Sequence, residues 1–390
     1  MPAIALTTFK DATERVLDYL GENASKLASR DAKRAVFDAY RDLASAHRWT
    51  YLFRRGRLDT VASYTTGTIT FTFTGGAYER VVTLASGTWP SWAANGRIII
   101  SSVVYEVATR ESNTQITLSV NSNPGANVAA GTSYTLYRDT YTLPVDFLAA
   151  GDFYNNTNVL RMRKLHPEEM VEMSRSSPSP ATPRSYSITG SEDFYGVQAV
   201  TFYPPPDAIY RIDYLYHRRM RPLVYGDQAA CSQGTVTNTA ASATVTGTST
   251  AFASGMVGSV IRLSANTVDL PTPPWGANPY DVERVITGFT STTSITVNST
   301  ISAAHTAVKY QISDPLDLEE GAMQTAFWRC MEAQATIARI MKNEDKAQRR
   351  WLDALILAKE ADSRSMSNDV SGVRSGYTRL RDHPADLTFV

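Results

Sequence analysis

Paired carboxylates are the residues of this sequence that come nearest to a catalytic pattern. Glycosidases use two acidic side chains as acid and as nucleophile or base, and the chain offers such pairs at residues 168–169, 192–193 and 319–320. The first and third pairs fall in the first turns of expected helices, where the helix dipole favours acids without any catalytic role. The second pair falls in an expected loop. We therefore predict no catalytic residues.

The motifs of nucleotide-dependent and metal-dependent enzymes are missing from the sequence. There is no Walker A run, no dinucleotide-type glycine fingerprint, no His-Glu-x-x-His and no Gly-x-Ser-x-Gly. The five histidines have no ligand spacing, and the two cysteines, Cys231 and Cys330, are too few for a disulfide framework or a cysteine zinc site. They are typical of small buried hydrophobic residues in a reducing compartment. The sequence predicts no enzyme, no metal and no cofactor.

Clusters of arginine are the remaining candidates for chemistry, because arginine binds phosphate groups. Two interpretations stay open: ion pairs with neighbouring acids or neighbouring subunits, and contact with the phosphates of passing DNA. Lys and Arg total 38 and Asp and Glu total 38, so the formal charge is zero. This balance argues against a protein that holds nucleic acid through many phosphate contacts. The candidate residues for contact with DNA or with neighbouring subunits are Arg54, Arg55, Arg57, Arg218, Arg219, Arg349 and Arg350.

Composition indicates a folded protein rather than a disordered one. Hydrophobic residues make up 43% of the 390 residues, which is enough to build real cores, and charged residues make up only 19%. The first ten residues lack a basic segment followed by an apolar one, so we expect no secretory signal. No run of about 18 apolar residues occurs, which predicts no transmembrane helix and no membrane partner.

Helical periodicity appears at both ends of the chain. Thr8 is placed to cap a first helix that ends at Gly21, and a second amphipathic helix starts near Ser29. Near the other end, Asp317 and Glu320 have the spacing of a capping box for a further helical region, with a break expected at residues 343–345. The two ends together predict a helical bundle.

Two stretches between these helices show the period-2 alternation of short strands, and they resemble each other. Residues 67–70 correspond to 234–237, residues 113–118 to 292–297, and residues 134–136 to 310–312. Asp139 and Asp314 follow the last strands of the two stretches. Each copy is about the size of a small antiparallel barrel or sandwich, so we interpret them as a duplicated β-module.

The predicted fold class is therefore α+β: a helical bundle built from N- and C-terminal helices, with two inserted small antiparallel β-barrel or sandwich modules. We call the modules module 1 and module 2. The expected divisions are N-terminal helices (1–60), module 1 (61–140), a mixed core segment with strands and a short helix (141–232), module 2 (233–315), C-terminal helices (316–364) and an extended tail (365–390).

Several loose motifs resemble those of head-to-tail adaptors from podovirus-type tailed bacteriophages. They are residues 46–52 after the N-terminal helices, 141–147, 200–207, 210–214 with the basic turn that ends at Arg221, and the Gly-Thr-Val-Thr type of module with 256–258. The resemblance covers most of the chain. Two β-modules are a departure from such adaptors, which are often shorter, so the resemblance leaves the role of the modules open.

The resemblance implies a structural protein of the virion, assembled in the host cytoplasm and located at the head-tail junction. Its expected partners are further copies of itself in a ring of twelve, the portal protein, the tail nozzle protein and, transiently and without sequence specificity, the DNA that crosses the ring during ejection. It also implies that the C-terminal tail docks into the portal. The candidate docking residues are Tyr377, Arg379, Leu380, Leu387 and Phe389.

Alternative functions remain open on the sequence alone. Another neck, nozzle or stopper protein of the tail would share the same features. A glycan-binding or cell-wall-degrading tail component is a different class. The 20 tyrosines and 6 tryptophans would suit it, although no local cluster of aromatic and acidic residues marks a sugar groove.

Overall fold

A computed structural model describes ten stretches of the chain. The chain divides into two compact units. Unit 1 is Met1–Tyr51 together with Met220–Val390, and unit 2 is Leu52–Arg219. No helix in the described stretches is long and apolar enough to span a membrane. The described residues are 7–21, 26–73, 79–120, 122–174, 179–191, 196–226, 228–270, 280–319, 321–338 and 343–368.

The structure describes five α-helices. Their bounds are α1 Phe9–Tyr19, α2 Lys26–Ala46, α3 Pro167–Ser174, α4 Ala322–Ala338 and α5 Glu344–Asn368. The predicted cap of α1 is confirmed: the Thr8 hydroxyl accepts a hydrogen bond from the Asp11 N–H, and the Asp11 carboxylate accepts one from the Thr8 N–H. The predicted start at Asp317 is wrong. The Asp317 carboxylate accepts the N–H of Arg221 at 3.1 Å instead, and Glu320 lies outside the described residues.

Helices from both ends of the chain form one bundle in unit 1, where α1 and α2 pack on α4 and α4 packs on α5. Small side chains at the contacts let the helices approach closely. Asp362 of α5 links the two ends, since its carboxylate accepts the Thr50 N–H at 3.0 Å and lies 2.9 Å from His47 Nε2. The buried small residues of the bundle include Ala32, Ala35, Ala39, Ala326, Cys330, Ala333, Ala335 and Ala358.

Module 1 is a seven-stranded antiparallel sheet in the order β7-β2-β3-β6-β5-β4-β8. Strands are numbered along the chain. Its strands are β2 Thr68–Phe71, β3 Val81–Ala85, β4 Arg97–Ile100, β5 Val103–Arg110, β6 Gln115–Leu118, β7 Val128–Thr132 and β8 Tyr134–Tyr137. Residues such as Ile69, Val82 and Ile98 alternate inward, and the sheet curls around them and the buried Trp89 into a nearly closed barrel.

Module 2 has the same strand order, β21-β16-β17-β20-β19-β18-β22. Its strands are β16 Thr235–Asn238, β17 Ser242–Thr248, β18 Val260–Leu263, β19 Val282–Ser291, β20 Ser294–Ile301, β21 His305–Val308 and β22 Tyr310–Ser313. Each barrel starts at a glycine with positive φ, Gly67 at +83° and Gly234 at +80°. A Cβ at either position would collide with carbonyl oxygens of the facing turn. The α+β fold with two small barrel modules is thus confirmed.

The remainder of unit 2 is two four-stranded sheets around an aromatic core. One sheet has the order β1-β15-β10-β11 and the other β12-β13-β14-β9. Phe153 lies between Tyr186 and Tyr214, with ring centroids 4.5 Å apart in both pairs. The strand bounds are β1 Phe53–Asp59, β9 Thr140–Thr142, β10 Phe147–Asn155, β11 Leu160–Arg161, β12 Arg163–Lys164, β13 Ser185–Gly190, β14 Gln198–Tyr203 and β15 Arg211–Arg218.

Candidate assembly surfaces

The acidic pairs that resembled a glycosidase pattern do not form a paired-carboxylate site where the structure describes them. Glu169 lies in the first turn of α3 and binds Arg163 at 3.0 Å, while the Glu168 side chain is 93% exposed. Burial raises the pKa of Glu319. Residue 320, the second acid of that pair, lies outside the described residues, and so does the pair at 192–193. Among the described residues, no group of three or more His, Cys, Asp or Glu side chains is placed to hold a metal ion.

Three of the candidate arginines lie on β1, and an acid neutralises each of them. Arg54 is 3.6 Å from Asp146, Arg57 is 3.5 Å from Asp59, and Arg55 forms an ion pair with Asp213 across the β1–β15 register. The hydrogen bond from Arg55 lowers the pKa of Asp213, although burial opposes the shift. These contacts are those expected for ion pairs.

The other candidate arginines lie at the end of β15, just after it, and in the second turn of α5. Arg218 ends β15, and its guanidinium donates to the carbonyl of Arg219, whose own side chain is exposed. Arg349 and Arg350 lie in the second turn of α5 with exposed side chains. The β1–β15 register spreads the three β1 arginines along β15, with Arg54 opposite Tyr216 and Arg57 opposite Asp213, whereas Arg349 and Arg350 belong to unit 1. All five candidate tail residues, 377, 379, 380, 387 and 389, lie outside the described residues.

A buried arginine attaches α1 to module 2. Arg262 of β18 donates to both carboxylate oxygens of Asp11, at 2.7 and 3.0 Å, and to Glu283 of β19 at 2.7 Å. Burial opposes the charge, but the hydrogen bonds and negative charges of Asp11 and Glu283 outweigh it and raise the pKa of Arg262. The bidentate geometry fixes both the position and the direction of the helix on the barrel.

Asp314, which follows β22, is the acceptor for four donors. Its carboxylate accepts the N–H groups of Val224 and Tyr225 at 2.6 and 2.7 Å, the Ser259 hydroxyl at 2.6 Å and the Arg221 guanidinium at 3.1 Å. The side chain is 1% exposed. Module 2 is thereby tied to the segment that leads into it.

Asp139 is the counterpart of Asp314 at the end of module 1, and its connections are fewer. It accepts from Arg97 of β4 at 3.0 Å and from the neighbouring Thr140 hydroxyl at 3.0 Å. Arg97 also lies 3.5 Å from Glu106. The described side-chain contacts of Asp139 are therefore made within module 1 and with β9, the strand that follows it.

A polar cleft of about 350 Å³ lies within unit 2, between module 1 and the β12-β13-β14-β9 sheet with α3. Its walls include the charges of Arg97, Glu106 and Asp139 and several hydroxyl groups. One of these, on Ser187, is buried and has no hydrogen-bond partner among the described residues. Apolar side chains such as Met170 and Phe202 line the cleft as well, so its lining is mixed.

The comparison with known families gives one match. Residues 106–240 match the family model described as SU10 adaptor protein, which covers about a third of the chain. The matched stretch begins inside β5, includes the whole segment between the modules and ends just after β16. A search of curated proteins found no match. Over these residues the chain is similar to a bacteriophage adaptor, and the similarity supports a structural component of the virion that interacts with other virion proteins.

The sequence did not single out the Arg262 and Asp314 networks as functional. A signal for the first was nevertheless present, because Arg262 and Asp269 are the only charged residues between Gln233 and Tyr280. A single arginine in a strand that is otherwise uncharged predicts a specific buried partner. Which acid it binds was not predictable, since Asp11 lies 251 positions away in the chain.

Proposed function

We propose that the protein is the head-to-tail adaptor of a podovirus-type tailed bacteriophage. Twelve copies assemble in the host cytoplasm into a ring that joins the portal to the tail nozzle and lets DNA pass during ejection. The observation that carries this proposal is the match of residues 106–240 to the SU10 adaptor family. The match runs from β5 of module 1 through the whole intermodule segment to β16, and this extent favours a shared architecture over a shared short motif.

Exposed apolar side chains in unit 1 support assembly with other proteins. On α5, Leu352 is 50% exposed, Ile356 is 56% exposed and Leu357 is 62% exposed. Such contiguous apolar surface on a helix is typical of an interaction site. A closed ring uses heterologous contacts, in which one face of each copy binds a different face of the next.

The charge balance around the β1 arginines suits a channel through which DNA moves. The β1 arginines Arg54, Arg55 and Arg57 are each near an acid, so they add little net positive charge to their surface. Binding to duplex DNA strengthens with the number of phosphates that a protein neutralises. Transient and non-specific contact is therefore the interaction that we expect with DNA.

The mass of the purified protein, measured with and without the portal protein, tests the ring. We expect a twelvefold assembly that binds the portal, and electron microscopy of virions should place it at the head-tail junction. A protein that stays monomeric with the portal present would overturn the proposal. A ring located farther down the tail would instead identify a nozzle or stopper protein.

Truncation after Asn368, where α5 ends, tests the docking role of the C-terminal tail. Removing residues 369–390 should leave the far-ultraviolet circular dichroism spectrum unchanged and abolish portal binding, because the candidate docking residues are lost. A full-length variant with Tyr377, Leu380, Leu387 and Phe389 replaced by Ser is the control for chain length. We expect it to lose portal binding as well. Unchanged affinity of the truncated protein for the portal would disprove this role.

A further inference from the structure

At one pair of facing strand positions the two modules differ in polarity, because the side chains are charged in module 2 and aliphatic in module 1. The pairing registers of β4 with β5 and β8 match those of β18 with β19 and β22 residue by residue. In this register, Arg262 and Glu283 of module 2 correspond to Ile99 and Val104 of module 1. We call Ile99 and Val104 the aliphatic pair. Both pairs lie on the outer face of their barrel, because the residues on either side of Ile99 and Arg262 point into the cores.

In module 2 this outer face is covered by a helix. Asp11 of α1 binds Arg262, and the neighbouring Lys10 binds Gln311 of β22 at 2.9 Å. Arg262 and Glu283 are consequently only 8% and 6% exposed. The barrel therefore presents a surface on which α1 contacts two neighbouring strands, β18 and β22.

In module 1 the same surface is apolar and less covered. Ile99 and Val104 are half-buried, and neither belongs to the core of the barrel. Thr135 of β8 replaces Gln311, so the two long polar groups that bind α1 in module 2 have no counterpart. Val103, at the end of the same hairpin, is 50% exposed. A helix that lies on this surface must present apolar side chains instead of an acid.

A helix face of this chemistry exists in the chain itself. Leu352 and Ile356 of α5 are four positions apart, so they lie on one face of the helix, and half or more of each side chain is exposed. We call these two residues the α5 ridge. It has the length of one helical turn, which matches a patch made of one cross-strand pair.

We propose that the aliphatic pair of module 1 binds the α5 ridge of a second copy of this chain. The inference rests on the proposed ring and names one of its contacts between copies. The contact is heterologous, because a sheet face of one copy meets a helix of the next, and such contacts continue around a ring until it closes. The duplicated module thus has two uses: one copy holds a helix of its own chain and the other holds a helix of a neighbour.

Disulfide cross-linking between two variants tests the contact in the full chain. One chain carries Val104→Cys and the other carries Ile356→Cys, and they are mixed before mild oxidation. We expect a covalent dimer in the mixture and none in either variant alone. Matched controls place the cysteine at Ala129 on β7 of module 1, or at Ala361 on another side of α5, and both residues are exposed. The native cysteines, 231 and 330, are buried and stay unreactive.

A double substitution, Ile99→Arg with Val104→Glu, tests the same contact by copying module 2. The barrel should tolerate it, because module 2 already holds this cross-strand ion pair, and circular dichroism checks the fold. We expect the assembled fraction in sedimentation to fall at least about tenfold, as the apolar contact is lost.

The outcomes separate this contact from the ring itself. If the parent protein assembles, the double variant assembles equally and the mixed cysteine variants do not cross-link, then the proposed contact is wrong and the ring stands. If the parent protein does not assemble under any condition, including with the portal, both proposals are overturned. Cross-linking that requires both cysteine variants, together with loss of assembly in the double variant, supports the contact.

Discussion

Module 1 and module 2 share strand order, pairing register and an initial glycine turn, yet they are attached to the protein differently. Charged side chains attach module 2: Arg262 binds Asp11 of α1, and Asp314 accepts hydrogen bonds from the segment that enters the module. At the matching places, module 1 has the aliphatic pair and the less connected Asp139. The inward-facing residues and turn glycines determine the barrel, whereas the outer face is free to differ. A duplicated module can therefore acquire a second attachment without a new fold.

The hairpins beside these surfaces differ in the same way. In module 1, β4 and β5 are joined by Ser101 and Ser102, both with positive φ as a tight two-residue turn requires. In module 2, residues 264–281 stand at this place, and Tyr280 in the described part lies beside Arg262. Burial raises the pKa of Tyr280 to about 12, with the positive charge of Arg262 opposing the shift. The longer connection adds cover to the buried arginine.

Removal of the Asp314 carboxylate should give the largest difference between the modules. Asp314→Ala leaves two backbone N–H groups, a serine hydroxyl and Arg221 without their acceptor, and we expect a loss of about 5 kcal/mol in the free energy of unfolding. Asp139→Ala is the matched change in module 1. It should cost about 1–2 kcal/mol, because Arg97 keeps Glu106 nearby. Urea unfolding measures both variants, and equal losses would contradict the distinction that we draw between the modules.

Replacing the charged pair of module 2 by the aliphatic pair of module 1 should give the next effect. Arg262→Ile alone removes the ion pair that the buried Glu283 carboxylate makes at 2.7 Å, at an expected cost of about 3–4 kcal/mol. The double change Arg262→Ile with Glu283→Val should recover at least half of that loss, since no buried charge remains. Urea unfolding of the two single variants and the double variant completes the cycle. A double variant as unstable as Arg262→Ile would show that the lost stability comes from the bonds of Arg262 to Asp11, which both variants lack, and not from the charge of Glu283.

The smallest effect concerns Glu14, which lies on α1 near Arg262. Burial raises the pKa of Glu14 above its ordinary value of 4.5, and the charge of Lys10 opposes the shift. A carboxyl whose pKa is higher in the folded state favours folding while it is protonated, below its ordinary pKa. This contribution is lost as the pH rises through the higher folded pKa. Glu14→Gln should therefore be more stable than the parent at pH 7 and not at about pH 4.

The gain from Glu14→Gln should stay below about 0.5 kcal/mol, because the side chain is 36% exposed and solvent screens it. Unfolding free energies at the two pH values measure it. Glu106→Gln in module 1, where the glutamate side chain is 54% exposed, is the control and should show no such gain. A larger gain at the lower pH would reverse the sign that burial predicts.

Sequence patterns predicted the elements whose formation depends on residues close together in the sequence. The alternation after Gly67 predicts β2, the correspondence of residues 67–70 with 234–237 predicts matching strands, and Thr8 predicts the cap of α1. The start of α4 was not predictable in this way, because the Asp317 side chain binds Arg221 from a distant segment. Partners separated by about a hundred positions or more follow from packing and leave no trace in local periodicity.

The discontinuity of unit 1 has a consequence for protein synthesis. Unit 2 is one continuous segment, Leu52–Arg219. In unit 1, α1 can form its ion pair only after Arg262 has been synthesised, and the bundle is complete only after α4 and α5 have been synthesised. On a translating ribosome, unit 2 can therefore complete its cores first, while the two leading helices are still without most of their native neighbours. These neighbours are synthesised only when translation reaches residue 262 and beyond, so α1 and α2, which emerge before unit 2, acquire their final contacts after it.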